Sequence, residues 1–134
     1  METVSLSENK EIEYASNLIN TAIKDFNKNN FSICENLLNE AQPIFKNTND
    51  GSKTALCLAL KGALEYLKDK DNYQASLDLL EDAKYLASYT QDHTAKTFVE
   101  YVLGIIYKHE KSYDLSKLHF GNAKNLALDR KSVV

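Results

Sequence analysis

The chain has 134 residues, 43% of them hydrophobic, which is enough to bury a stable core as one domain without disulfides or metal. Its formal net charge is −3 and its 16 basic and 19 acidic residues are interspersed, which argues against nucleic acid as the main partner. No apolar run approaches the ~18 residues of a membrane span, and the two cysteines lie in separate helical patterns, so we expect a soluble cytoplasmic protein with reduced thiols.

The apolar spacing predicts six helices and no strand, beginning with a helix that opens at the capping box of Ser5 and Glu8. The polar run 27–30 ends this first helix. A second helix is predicted over 31–45, and Pro43 should bend or end it because proline cannot donate a helical hydrogen bond.

The remaining four helices follow the same pattern of a polar break and then a capping residue. Ser52 caps the third helix, and the fourth is predicted over 73–88. Asp92 caps the fifth helix, and the sixth runs over about 112–128 with Ser112 as its cap.

One spacing recurs in the second, fourth and sixth helices, which indicates a repeated unit. Each copy has an aromatic residue, a small residue at +3, a large apolar residue at +7 and alanine at +10, all on one helical stripe. The copies begin 42 and then 40 residues apart and consist of Phe31, Cys34, Leu38 and Ala41, then Tyr73, Ser76, Leu80 and Ala83, then Tyr113, Ser116, Phe120 and Ala123. Three units, about 8–47, 52–90 and 92–129, therefore make a single domain of arrayed helix pairs.

These units resemble the tetratricopeptide repeat (TPR) family. In the third unit the helix before the stretch carries that family's large residue, small residue and later aromatic residue, which are Leu103, Gly104 and Tyr107. In the second unit the matching positions hold Gly62, Ala63 and Tyr66, and the turn is one residue longer. The period of 40 to 42 residues is similar to that of the long-helix members of the family.

The resemblance implies an all-α, right-handed solenoid of three antiparallel helix pairs that binds a protein or peptide as an adaptor, chaperone or sensory scaffold. Two alternatives stay open: a homodimerisation module, and a fragment of a peptide-responsive bacterial regulator.

In the TPR family the first helix of each pair lines the concave, ligand-binding side. By this resemblance the concave residues are Asn17, Asn20 and Lys24 in the first unit, Leu60 and Leu64 in the second, and Phe98, Tyr101, Ile105 and Lys108 in the third. Such a groove is polar at one end and apolar at the other, which suits an amphipathic ligand. Neighbouring first helices also touch each other, so the apolar members of this set, above all Leu60, Leu64 and Ile105, are alternatively core residues.

A second interaction surface is expected at the end of the array. Leu115, Leu118 and Leu126 make the last helix more apolar than its siblings, where a further unit would dock. This predicts a face for homodimerisation or for a partner that completes the array. The alternative is that Val133 and Val134 fold back over it.

Catalytic chemistry has little support in the sequence. The three histidines, His93, His109 and His119, have no second histidine or cysteine at metal-ligand spacing, and there is no glycine-rich phosphate loop. We therefore expect no enzyme activity, no metal, no cofactor and no small-molecule substrate.

Overall fold

The computed structural model describes the backbone of residues 6–133 and the side chains of residues 8–128. This part of the chain contains six α-helices and no strand: α1 (Leu6–Asn27), α2 (Phe31–Asn47), α3 (Gly51–Lys68), α4 (Gln74–Ala87), α5 (Thr94–His109) and α6 (Tyr113–Val133). The predicted all-α class is confirmed. The predicted cap at Ser5 and the covering role of the Val133 and Val134 side chains lie outside the described residues.

The helices pack mainly in sequential pairs, α1 with α2, α3 with α4 and α5 with α6. Contacts between pairs join α2 to α3, α4 to α5, and α3 to α5. The core forms two adjoining clusters, one around Phe45 and Leu60 and the other around Leu80 and Ile106. Phe26 and Phe98 pack against both clusters, so the core is continuous from the first pair to the third. None of the described helices is long and apolar enough to cross a membrane.

The recurring stripe forms the buried face of the second helix in every pair. Its small, large and alanine positions are all buried in α2 and α4, and in α6 the large position, Phe120, is partly exposed while the other two are buried. The residues at these positions are Cys34, Leu38, Ala41, Ser76, Leu80, Ala83, Ser116, Phe120 and Ala123. The leading aromatic position is less buried, and Tyr113 is mostly exposed. Helical periodicity alone therefore located the face that packs.

Two serines of this stripe bond across their helix pairs at glycines. Ser76 Oγ donates to the carbonyl oxygen of Gly62 at 2.6 Å, and Ser116 Oγ donates to the carbonyl oxygen of Gly104 at 2.8 Å. Both serine hydroxyls are buried and would lose hydrogen bonding to water without these partners. The helices therefore approach most closely at the two glycines.

These bonds correct the sequence alignment of the second unit. Gly62, and not Ala63, corresponds to Gly104, because both carbonyls accept the same serine bond. The serine lies 14 residues after its glycine in the second unit and 12 in the third, so the second turn holds two extra residues, not one.

Three helices are followed, two residues after their ends, by a residue in the left-handed conformation. Asn29, Asn49 and Lys111 have φ values of 66°, 59° and 63° and follow α1, α2 and α5. After each, the next N–H reaches back to a carbonyl of the preceding helix, as from Asp50 to Phe45 at 2.9 Å. This hydrogen bond satisfies a carbonyl that the helix itself leaves free and turns the chain sharply into the next helix.

Three predictions about helix ends and caps differ from the structure. Pro43 does not end α2, which continues to Asn47, because the next turn carries the fully buried Phe45. α6 continues beyond its predicted end near residue 128 to Val133. The cap of α3 is Asp50 and not Ser52, since the Asp50 carboxylate accepts the N–H of Lys53 at 3.0 Å. In α2, tertiary burial of Phe45 overrides the local preference of proline. At the start of α3, the carboxylate of Asp50, two residues before Ser52, is the better acceptor.

Candidate ligand-binding groove

The first helices of the three pairs line an apolar cavity of about 430 Å³ that is open to the surface. Its walls are mainly aromatic and aliphatic and include Phe26 of α1, Tyr66 and Leu67 of α3, and Phe98, Tyr101 and Ile105 of α5. We call this space the main cavity. It lies where concave binding sites between helices are expected, and its size is within the range of ligand pockets.

A second cavity of about 340 Å³ adjoins the main cavity and shares Phe26, Phe98 and Tyr101 with it. Its other walls include Leu56 and Thr97. We call it the side cavity, and the two spaces together the groove. Because three side chains belong to both cavities, these side chains form a partition between two apolar compartments.

Aromatic contacts hold this partition in place. The ring of Phe26 meets that of Phe98 edge-on at a centroid distance of 6.0 Å, and it meets Phe31 at 5.6 Å. Further along α5 the ring of Tyr101 lies 5.7 Å from that of Phe120. Aromatic pairs of this kind add a modest stabilisation beyond their buried area, which favours this arrangement of the shared side chains.

Basic side chains border the main cavity at one end. Lys70, in the turn after α3, and Lys108 and His109, at the end of α5, all line it. The two lysines are exposed and make no ion pair with another residue of the part of the chain described, 8–128. His109 Nδ1 lies 3.3 Å from Oε2 of Glu110, and its ring meets Tyr66 edge-on at 5.9 Å. We call these three residues the basic rim.

The structure gathers four of the predicted concave residues at the main cavity: Phe98, Tyr101, Ile105 and Lys108. Tyr101 is 52% exposed, so its ring is accessible to a ligand from the groove. The prediction that the concave side is apolar at the third unit agrees with this placement.

The other predicted concave residues do not line the main cavity. Leu60 and Leu64 are 1% and 3% exposed and belong to the core, because α3 is packed between the flanking pairs. Leu60 also contributes to the wall of the side cavity, whereas Leu64 lines neither cavity. The expectation that both leucines are exposed in an open groove is therefore corrected to the core alternative. Asn17, Asn20 and Lys24 are exposed on α1 and line neither cavity, so these three predicted residues are not part of the groove. At the end of the same helix, Asn27 does line the side cavity.

Sequence reasoning missed several residues of the groove, among them Phe26, Tyr66 and Lys70. Phe26 is visible in the sequence as the last apolar residue of the first helix, and Tyr66 as an aromatic residue at a repeated position. Nothing local shows that the end of α1 reaches α5, or that a lysine in the long turn after α3 borders the same cavity.

The predicted terminal face is divided between two sides of α6. Leu115 and Leu118 are 44% and 54% exposed. The helices α2 and α4 do pack against the next pair, yet the residues at the equivalent repeat positions on them are exposed as well: Ile33, Asn36, Ala75 and Asp78. These two leucines therefore lie on the outer face and not where a further unit would dock. Leu126 is partly buried and corresponds to Ile44 and Leu86, which pack against the core, so it alone lies on the docking side.

A buried carboxylate joins three helices outside the groove. Glu100 of α5 is 5% exposed; its Oε1 lies 2.7 Å from His119 Nδ1 and accepts Asn122 Nδ2 at 3.1 Å, while Lys84 Nζ lies 3.5 Å from Oε2. Burial alone would raise the pKa of Glu100, but the bonds from His119 and Asn122 and the charge of Lys84 lower it below its ordinary value. The His119 ring stacks on Tyr107 at 5.4 Å. This cluster is a clamp between α4, α5 and α6.

The two thiols are part of the core. Cys34 and Cys57 have no exposed surface, and burial raises their pKa values to about 11 and about 12. Neither is a thiolate at neutral pH, so neither is poised as a nucleophile or metal ligand. Among the described residues no group of three or more histidine, cysteine, aspartate or glutamate side chains is arranged to hold a metal ion.

Neither a family model, nor a curated protein, nor a solved structure matches this chain.

Proposed function

We propose that this chain is a non-enzymatic module that binds a protein or peptide in the groove, built as a right-handed, TPR-like solenoid of three antiparallel helix pairs. The sequential pairing of helices, the contacts from each pair to the next, and the repeated serine-to-glycine-carbonyl bond support this architecture. The turns between α1 and α2 and between α5 and α6 have three residues, and the middle one is in the left-handed conformation. Short turns of this kind are typical of antiparallel helix pairs and support the proposed architecture.

The observation that carries the proposal is the composition of the groove. Its two compartments have largely apolar walls, and the basic rim borders the main cavity at one end. Buried apolar area supplies affinity for an amphipathic segment, and helix-lined grooves are a common way to bind one. We place this activity in the cytoplasm, in an adaptor, chaperone or sensory assembly.

Selection from a displayed library of random peptides tests the proposal directly. The immobilised protein should enrich a family of related peptides, and Tyr101→Ala should abolish the enrichment because the partition ring contacts both compartments. Tyr85→Ala removes a tyrosine that is 65% exposed on α4, outside the groove, and is the matched control. Equal enrichment by the Tyr101 and Tyr85 variants, with helicity unchanged, would contradict binding in the groove.

One observation favours self-association as a second candidate function. Leu115 and Leu118 are exposed next to each other on the outer face of α6. If this face pairs two copies, sedimentation should show a dimer that Leu118→Asp converts to a folded monomer. A wild-type protein that stays monomeric at high concentration excludes this function.

A further inference from the structure

We infer that the ligand of the groove is an amphipathic helix with two large apolar side chains two turns apart. One of these side chains enters the main cavity, and the helical turn beyond that side chain is acidic. This inference rests on the proposed binding function and specifies its ligand. It follows from three features of the groove: its division into two compartments, their spacing, and the position of its charges.

The division predicts two anchor side chains. Phe26, Phe98 and Tyr101 line both the side cavity and the main cavity, and the rings of the two phenylalanines meet edge-on at this boundary. A single apolar group fills one compartment and leaves the other compartment exposed to water. Two anchors joined by one backbone fill both compartments, which buries more apolar area for the same loss of overall motion.

The spacing predicts that the ligand is helical. Along α5 the side cavity extends from Thr94 to Tyr101 and the main cavity from Phe98 to His109. Their centres are separated by roughly six residues of helix, or about 9 Å at the helical rise. A ligand helix presents positions i and i+7 on one face about 10 Å apart. In an extended ligand the residues about 10 Å apart are i and i+3, which point to opposite faces.

The charges predict which end of the ligand is acidic. The basic rim of Lys70, Lys108 and His109 borders only the main cavity, whereas the polar residues of the side cavity, which include Asn27 and Thr97, are neutral. None of the described residues that line either cavity is acidic. Carboxylates on the ligand turn beyond the main-cavity anchor would meet two lysines that have no ion pair with the described residues.

Fluorescent helical peptides of about 18 residues with phenylalanine at i and i+7 provide the test. In one peptide three glutamates precede the first anchor, and in a second peptide three glutamates follow the second anchor. Matched peptides carry glutamine or lysine in place of the glutamates. A further control peptide has its anchors at i and i+5, on opposite faces of the helix. At about 0.15 M salt one of the two glutamate peptides should bind at least about tenfold more tightly than its glutamine form, and the i+5 peptide should not bind.

Charge-reversal variants of the protein distinguish the effect of the basic rim on peptide binding from the effect of the protein's net charge. The double variant Lys70→Glu with Lys108→Glu should lose the preference for glutamate and prefer the lysine peptide. The control variant Lys46→Glu with Lys117→Glu makes the same change in net charge at exposed positions that line neither cavity, and it should behave as wild type.

The outcomes distinguish this inference from the proposed function. Equal binding of glutamate, glutamine and lysine peptides, still abolished by Tyr101→Ala, would overturn the acidic ligand and leave groove binding intact. If no designed peptide binds while the random library is still enriched, the two-anchor helix is wrong and the proposed function stands. If dodecanoate binds the groove and no peptide does, both are overturned in favour of a lipid-like ligand.

Discussion

Replacing Gly62 with alanine tests the close approach of α3 and α4. The added Cβ would lie 2.9 Å from Cγ of the fully buried Leu80 and 3.3 Å from the backbone carbonyl oxygen of Ser76. Neither neighbour can move aside easily, and overpacking of this kind costs about 1–3 kcal/mol. Alanine recovers about 1 kcal/mol of helix propensity relative to glycine, so we expect a net loss of about 1 kcal/mol in the free energy of unfolding.

Two other glycines provide matched comparisons. A Cβ at Gly121 of α6 would have nothing within 4 Å, so Gly121→Ala should raise the free energy of unfolding by about 0.5–1 kcal/mol through helix propensity alone. A Cβ at Gly104 would lie 2.6 Å from the ring of Phe120, which is partly exposed and can shift, so Gly104→Ala should fall between the other two.

Urea unfolding followed by circular dichroism measures all three variants against the wild type. The predicted order of stability is Gly121→Ala, then Gly104→Ala, then Gly62→Ala. If Gly62→Ala stabilises the protein as much as Gly121→Ala does, the contact between α3 and α4 is not where the structure places it, and the alignment of Gly62 with Gly104 is refuted.

Three further predictions concern the clamp, the thiols and a turn. Because the pKa of Glu100 lies below its ordinary value of 4.5, its carboxylate stabilises the fold above that pH, and this contribution is lost as the pH falls through the folded pKa. Glu100→Gln should therefore lower the free energy of unfolding by about 1–2 kcal/mol near pH 7 and by much less near pH 3, and equal losses would contradict the clamp. Cys34 and Cys57, with pKa values raised to about 11 and about 12 by burial, should be inert to a thiol reagent in the native protein and react fully in urea; fast native labelling would show that the core opens. Lys111→Gly should raise the free energy of unfolding by about 1 kcal/mol, because Lys111 has a φ of 63°, which glycine adopts without steric strain. A melting temperature that does not rise would show that the end of α5 has another conformation.

The sequence by itself determined the helices and their packing faces. The stripe that includes Leu38, Leu80 and Phe120 is a local property, because a period near 3.6 residues places its members on one side of any helix they form. The close-packed position of Gly104 was also readable, since a glycine at a fixed spacing before the recurrent stripe predicts a close approach of two helices. These features need no knowledge of which helices become neighbours.

Only the tertiary structure decided what covers each apolar face. Periodicity shows that Leu60 is on an apolar side of α3, but whether that side faces a groove or a neighbour depends on how α5 packs over it. The same holds for Phe26, whose partner Phe98 is distant in sequence, and for Lys70, which a long turn carries to the cavity.

The register of the second pair was likewise decided by packing. Gly62 and Ala63 are adjacent small residues, and local spacing fits either one at the point of closest approach. The buried hydroxyl of Ser76 selects Gly62, because its carbonyl is the acceptor within reach, and the turn lengthens by two residues to allow that bond. Burial and hydrogen-bond satisfaction are properties of the assembled helices, so no local pattern could have fixed this choice.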